Sequence, residues 1–540
     1  MLGGVVVAAI AVTSGLALTS GPGRPSTPEP DTAPPRFVDD TSAAGLDHVY
    51  DGEFEFFVGG GVATFDCNGD QRPDLYFAGG SEPAALFRNE STIGGAFRFA
   101  SQPSPVTDLT AVTGAYPLDL DSDGVIDLAV LRRGGNAILR GLGDCRFEPA
   151  TERFGIDGRS AWTTAFSATW EGTNDLPTLA FGNYLEPDSD PNNVSCDEHQ
   201  FVRPAASGDR YADALPLGPG YCTLSMLFSD WNRSGRRDLR LTNDRHYYTD
   251  GQEQLFRIEP GEPPLEYTSD DGWQPLQVWG MGIASRDLTG DGYPEVFITS
   301  QGDNKLQSLA VEPTVATAVE PTYRDIALRS GVTAQRPYAG GDVLPSTAWH
   351  PEFGDVNNDG FADLFISKGN VEAQPDHATD DPNNLLIGQP DGTFVEGAAA
   401  AGIVDFARSR GAALVDLNLD GMLDIVVVNR RANVTLWRNV GDGTPDEPSA
   451  TGNWIAIRPR QSAPNVDAIG AWVEIRVDGR TSSRELTVGG GHVSGQLGWL
   501  HEGLGGADKV EVRVQWPDGE TGPWVTFDAN QFVTIDRASE

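Results

Sequence analysis

Carboxylates recur along this chain at a spacing that suits metal binding. The stretch Asp119-Leu-Asp-Ser-Asp-Gly-Val-Ile-Asp127 puts Asp119, Asp121, Asp123 and Asp127 at positions one, three, five and nine of a loop, with Gly124 at six. Alternate side-chain oxygens and a backbone carbonyl near position seven make a shell for a hard cation of about six to eight oxygen ligands, and calcium is the natural guest. Gly at position six permits the backbone reversal. An EF-hand would need a carboxylate at position twelve, entering a helix. Position twelve is Val130 here and Phe77, Ile298, Ile366 and Val427 in other copies, so these loops lead into apolar strands instead.

The copies are looser. They offer Asp66, Asn68, Asp70 and Asp74; Asp230, Asn232 and Asp238, with Ser234 at position five; Asp287, Thr289, Asp291 and Glu295; Asp355, Asn357, Asp359 and Asp363; and Asp416, Asn418, Asp420 and Asp424. A further copy, from Trp170 (WEGTNDLPT), has lost most ligand positions. The expectation is calcium at up to six sites, with the third repeat empty; the plainer reading is a set of Asx-turns that tie strands together.

Seven units 51 to 68 residues apart surround these loops. Each reads as a small-residue strand (GGGVATF), the acidic loop, a continuous apolar strand (DLYFA), a third strand (LFRN) and a fourth carrying Phe or Tyr, such as the one at Phe97 or Phe394. Continuous apolar runs imply sheets buried on both faces, and seven such sheets packed radially form a β-propeller. The seventh unit lacks its fourth strand after Asn439, whereas a stray one begins at Phe37, so the N-terminal strand is expected to complete the last blade. From about Thr451 the acidic loops give way to alternating strands (NWIAIR, GAWVEIRV, KVEVRVQW), which predict a small antiparallel β-sandwich. The predicted fold is all-β: a seven-bladed propeller over 37–448 and a sandwich over 449–540.

Residues 1–20 are small and apolar and read as a signal peptide or N-terminal anchor, followed by a Pro/Thr/Ser-rich linker over 21–36. No other stretch is long enough to span a membrane. The net charge is −40, which six calcium ions would bring to about −28, and this excess of acid argues against nucleic acid and anionic membrane as partners. Four cysteines fit disulfides in an oxidising compartment. Cys196 and Cys222 bracket one insertion and are the first pairing expected, leaving Cys67 with Cys145; other pairings, or free buried thiols, stay open.

The repeated GGxxxxDxNxDGxxDL with LxRN resembles the FG-GAP/VCBS repeats of integrin-like propellers. The tail, with NWIAI, GGGHVSGQ and GLGGADKVEVRVQWPDG, resembles the ASPIC/UnbV domain, and the combination resembles the cartilage acidic protein family. The resemblance implies a secreted, cell-surface or periplasmic calcium-binding propeller with adhesion-like roles, and brings no defined activity.

If the acidic loops join first and second strands, the remaining links emerge on the opposite face. Insertions there predict a rim carrying His246, Tyr247, Tyr248, Trp273, Trp279, Trp349, His350 and His377, suited to an extracellular glycan or protein. Packing of these aromatics onto the scaffold is the alternative for about half of them. His492 and His501, in the tail, read as turn or surface residues. The sequence lacks a G-x-S-x-G elbow and an H-E-x-x-H zinc helix, and no catalytic residue is singled out. A non-catalytic binding module is favoured over a polysaccharide lyase or hydrolase working on that opposite face.

Overall fold

The computed structural model describes residues 33–187, 195–244, 251–274, 276–310 and 319–538. The leader, most of the linker and the predicted rim residues His246, Tyr247 and Tyr248 lie outside them. Among the described residues the chain forms a ring of antiparallel sheets, four of them four-stranded, one of eight strands that includes Val112–Leu118 and Ala161–Thr169, and one in which Gly495–Gln496 adds a fifth strand, followed by a C-terminal domain of two further sheets. The first sheet runs Val62–Phe65, Asp74–Phe77, Ala85–Asn89 and Phe99–Ser101, and the later units repeat this order. The second strands Asp74–Phe77, Asp238–Asn243 and Asp424–Arg430 are buried at every residue, as their unbroken apolar runs predict for strands covered on both faces.

First strands of successive units touch in order, and Val62–Phe65 of the first also touches Arg408–Val415 of the last, so the sheets close a propeller-like ring. Hydroxyls stitch the inner wall between neighbours: Thr113 Oγ1 donates to Thr163 O (2.6 Å), Thr164 Oγ1 to Thr223 O (2.7 Å) and Thr299 Oγ1 to Trp349 O (2.5 Å). The N-terminal strand Arg36–Asp39 pairs antiparallel with Thr435–Gly441 and supplies the fourth strand of the sheet that begins at Arg408–Val415. This removes an open sheet edge and holds the two ends of the ring together. Disulfides join Cys67 to Cys145 and Cys196 to Cys222. No described helix is long and apolar enough to cross a membrane.

In the C-terminal domain, Asn453–Arg460, Leu500–Gly505 and Gln531–Asp536 form one sheet, and Arg480–Glu485, Trp472–Val477, Lys509–Gln515 and Val525–Asp528 the other. Ile455 and Ile457 meet Val473, Ile475, Val510 and Val512 in a shared core. The predicted purely antiparallel pattern is corrected at one edge, where Gln531–Asp536 runs parallel to Asn453–Arg460.

This domain does more than follow the ring. Its segment 488–496 enters the centre and meets the inner wall sheet by sheet. Gly490 N and Gly491 N donate to Met226 O (2.6 Å) and Ile283 O (2.7 Å), Ser167 Oγ donates to Val488 O (2.6 Å), and Gly495–Gln496 pairs in parallel with Ala63 and Thr64. Small residues in the first strands make the passage possible. A Cβ on Gly61 or Gly114 would lie 1.8 or 2.1 Å from Val493 O, and one on Gly411 2.3 Å from Ser494 Oγ.

Candidate metal centres

Each acidic loop joins the first and second strands of its unit, so the loops gather at one end of the ring. The carboxylate at position one organises its own loop. Asp119 accepts from Asp123 N (3.0 Å) and Gly124 N (2.9 Å), Asp355 from Asp359 N (3.0 Å) and Gly360 N (2.7 Å), and Asp416 from Asp420 N (3.0 Å) and Gly421 N (2.8 Å). Asp287 accepts from Gly290 and Gly292, and Asp66 from Gly69 and Gln71. In the first loop Gln71 holds the positive φ, 72°, that glycine adopts at position six elsewhere.

Position nine anchors the loop to the sheet. Asp127 accepts from Leu120 N (2.9 Å) and from Gly141 N on the third strand (2.8 Å), and Asp74, Asp363 and Asp424 repeat this pattern. Glu295 keeps the amide of Leu288 and takes Ser308 Oγ in place of the third-strand amide. At position three, Asn68, Asn357 and Asn418 donate their amide N–H to Asp70, Asp359 and Asp420.

Oxygen is gathered here faster than partners are supplied. Asp119, Asp121 and Asp127 bring carboxylate oxygens within 4.8 Å of one another. Asp121 Oδ1 and Asn418 Oδ1, both at position three, are buried without a hydrogen-bond partner. Burial first, and neighbouring carboxylates second, push Asp119 and Asp74 up to about 7 and Asp127 up to about 8. Glu295 rises to about 7, Asp287 and Asp420 to about 6, and Asp355, Asp363, Asp416 and Asp424 are all driven well above the ordinary range by burial. An all-oxygen donor set with unpaired members fits a hard cation such as calcium, which would neutralise the cluster and satisfy the unpaired oxygens. Asp123, Thr289 and Asp291 stand exposed. Arg140 pairs with Asp121 (2.8 Å) and Asp123, and Arg72 with Asp70, so the outer rims of these two loops carry counter-charges of their own.

The fourth loop departs from the predicted ligand set of Asp230, Asn232 and Asp238. Asp238 is filled from within the protein: Trp231 Nε1 (2.9 Å) and Tyr267 Oη (2.8 Å) donate to Oδ2, while Arg236 Nε (3.0 Å) and Ile258 N (3.1 Å) donate to Oδ1. A guanidinium beside Asp238 supplies the positive charge a metal would bring. In the third unit Glu171 is gripped at both oxygens by Arg203 (2.7 and 2.9 Å) and by Thr178 (2.5 Å).

The C-terminal domain lies on this loop-bearing face. Asn358 of the sixth loop bonds His501 Nε2 (2.7 Å) through its side chain and Gly505 N (2.8 Å) through its carbonyl. Trp454 packs on the seventh loop, where a Cβ at Gly421 would fall 1.9 Å from the indole. On the fourth loop Arg233 reaches Gln515 (2.9 Å) and Glu474 (3.2 Å), and Arg237 the carbonyls of Pro517 (2.8 Å) and Gly470 (2.5 Å). Gly69 and Gly124, in the first and second loops, meet nothing within 4 Å.

Of the five predicted rim residues that are described, three are interior. Trp349 is fully buried, donates to Gly369 O (2.8 Å), and lies under the Arg410 guanidinium at 4.2 Å and beside the His492 ring at 5.0 Å. His350 is buried and accepts His492 N–H at Nδ1 (3.0 Å), and Trp273 is buried against Tyr323. These three belong to the scaffold because first-strand residues face the filled axis and because loop aromatics fold down onto it. Trp279 and His377 remain half-buried. His492 and His501, expected at the surface, are both buried. His492 is the part sequence reasoning missed; the run Gly489-Gly-Gly-His492 was its one signal, since only a chain of small residues threads so narrow an axis.

Two family models match parts of this chain. Residues 461–540 match the model described as ASPIC and UnbV. Residues 66–130, spanning the first two acidic loops, match an FG-GAP-like repeat. Cartilage acidic protein 1 of Mus musculus is 31% identical over 159 residues, covering 28% of this chain and 21% of the mouse protein. The Homo sapiens protein of the same name is 30% identical over equal shares. The chain thus spans about a fifth of the length of the curated relatives it matches. Among solved structures, a BBS1N–ARL6DN complex aligns with a TM-score of 0.42 at 12% identity, covering 75% of this chain and 97% of that one. An Agrocybe aegerita lectin recognising non-reducing terminal N-acetylglucosamine aligns with a TM-score of 0.39 at 14% identity, over 68% and 88% of the two chains.

Proposed function

We propose that this chain is an exported, calcium-stabilised seven-bladed propeller, plugged along its axis by its own C-terminal domain, and that it serves as a non-catalytic binding or adhesion module for glycans or extracellular proteins. The observation that carries the reading is the repetition of oxygen-only loops around one face, with buried oxygens at Asp121 and Asn418 left unpaired. Two disulfides and an N-terminal apolar segment support export. The match to cartilage acidic protein 1 over part of the chain supports an extracellular setting. Trp349, Arg410 and His492 fill the axis where a propeller enzyme would hold its substrate, which favours binding at the outer loops over polysaccharide cleavage.

Calcium titration of the chelator-stripped chain, read as a melting curve with magnesium as control, tests the metal half of this reading. Each independent site at about 100 times its dissociation constant adds roughly 2.7 kcal/mol. A calcium-selective rise supports metal loops; an unchanged curve would reduce them to Asx-turns and remove the reading.

A further inference from the structure

A pocket of about 190 Å³ lies in the cleft between the second and third units, apart from the acidic loops and the axial segment. Asn136 reaches it from the turn between the second and third strands of the second unit, and Ile156 and Asp157 from the link into the third unit. Phe181 and Gln200 stand opposite each other on paired strands of the third unit, so their side chains share the face turned to the second. Asp213 comes from the insertion that follows.

The polar groups of this pocket are short of partners. Gln200 keeps only 7% of its surface accessible, yet its side-chain amide makes no hydrogen bond to any described residue and lines the pocket. A buried amide in that position calls for a partner from outside the chain. Asn136 is held in place, its Oδ1 accepting from Arg132 N (2.9 Å) and its Nδ2 donating to Thr163 Oγ1 (3.0 Å), which leaves one amide N–H to offer. Asp157 and Asp213 are exposed and form no ion pair or hydrogen bond among the described residues. Arg210 packs over Gly155 beside them and pairs with neither.

These groups select the ligand. Two carboxylates repel an anion. An ammonium offers donors alone and would leave the N–H groups of Gln200 and Asn136 unanswered, whereas a hydroxyl both donates and accepts. Neighbouring hydroxyls on one ring therefore satisfy carboxylates and amides together. We propose that this pocket binds one neutral pyranose ring, which rests on the glycan-binding reading above and gives it a place on the molecule. Size agrees: a cavity of about 150 Å³ accepts benzene, and a six-membered ring bearing hydroxyls suits the somewhat larger space here. Ile156, Phe181 and Val202 supply an apolar wall for the C–H face of the sugar, and the paired strands hold the Gln200 amide ready.

The methyl pyranosides of glucose, galactose and mannose are the probes, with the matching uronates as anionic controls, titrated against the full chain by saturation-transfer NMR. At least one pyranoside is expected to bind, and its uronate at least about tenfold more weakly. Gln200→Leu keeps the bulk of the side chain, removes the amide, and should weaken the bound pyranoside at least about tenfold. Should this variant fail to fold, Ala212→Phe decides: Ala212 is exposed and lines the pocket, and the added phenyl group should fill it and abolish binding. Binding of none of the three pyranosides by the parent chain, or of a uronate as tightly as its pyranoside, would overturn the proposal. Parental affinity in folded Gln200→Leu and Ala212→Phe would overturn it too, while leaving glycan binding elsewhere on the molecule intact.

Discussion

The second and the seventh acidic loops share a ligand pattern and differ in what covers them. Gly124 meets nothing within 4 Å, and its neighbour Asp123 is exposed. Gly421 lies under the Trp454 indole, Asn418 is buried, and Leu417 O of the same loop accepts from Asn89 Nδ2 of the first unit (2.7 Å). Nine residues of similar sequence thus make a solvent-facing acidic loop in one place and part of a domain interface in another. A loop's own residues set its donor oxygens, while distant residues set how readily water, protons and metal reach them. On our reading the open loops exchange calcium freely, and the covered sixth and seventh loops exchange it only as the C-terminal domain lifts.

The largest break in that comparison comes from a methyl group. Both glycines have positive φ, 86° at Gly124 and 83° at Gly421, so alanine at either position bears the left-handed strain of about 1–2 kcal/mol. At Gly421 the new Cβ also collides with Trp454, 1.9 Å away, and overpacking adds about 1–3 kcal/mol. Gly421→Ala should therefore lose about 3–5 kcal/mol in a denaturant melt and free the C-terminal domain to proteolysis, against about 1–2 kcal/mol for Gly124→Ala. Equal losses would show that Trp454 does not seal the seventh loop.

Acidity sharpens the same contrast at a smaller scale. In the metal-free chain, burial raises Asp119 and Asp74 to about 7 and Asp127 to about 8, from an unfolded value of 3.8. The folded state then holds more protons than the unfolded one between about pH 4 and pH 8, so stability is greatest at the acid end of that window and falls as pH rises through it. Calcium binding needs the carboxylates ionised and should reverse the slope. Melting temperatures of stripped and calcium-loaded protein at about pH 5 and pH 8 test this: the stripped chain should melt higher at pH 5, and the calcium increment should be larger at pH 8. A stripped chain that melts higher at pH 8 would mean the loop carboxylates are ionised without metal.

The acidic loops were legible in the sequence because their carboxylates lie within nine residues and local spacing decides what they offer. The sheets were legible for a related reason: each pairs neighbours in sequence, and continuous apolar runs such as Asp74–Phe77 mark strands buried on both faces. The closing strand could be inferred from a missing and a stray fourth strand. The axial segment could not, because Val493 meets Gly61 and Gly114 across hundreds of residues, and nothing local distinguishes a plug from a turn. The same blindness placed Trp349 and His350 on a rim, since a ring's filled centre is invisible until the ring closes. Only the glycines on both sides, Gly59 to Gly61 and Gly489 to Gly491, bear the mark of a close passage.

The fourth loop extends the comparison to a site whose position-nine carboxylate is met by a guanidinium and two aromatic donors. Its arginines are plain in the sequence at positions seven and eight, yet their effect depends on Trp231 and Tyr267, which complete the hydrogen bonds to Asp238. Asp230 is the residue to change. Its Oδ1 is buried and unpaired, like Asp121 Oδ1, while its Oδ2 accepts Gly235 N (3.0 Å). If Arg236 has taken the metal's place, Asp230→Ala should leave the number of bound calcium ions unchanged and cost only the loop's own hydrogen bond, about 1 kcal/mol. Asp119→Ala should remove one ion and the stability that came with it. Loss of one ion in both variants, counted by equilibrium dialysis, would mean the guanidinium shares the fourth loop with calcium, and covering and charge would then no longer suffice to sort the loops.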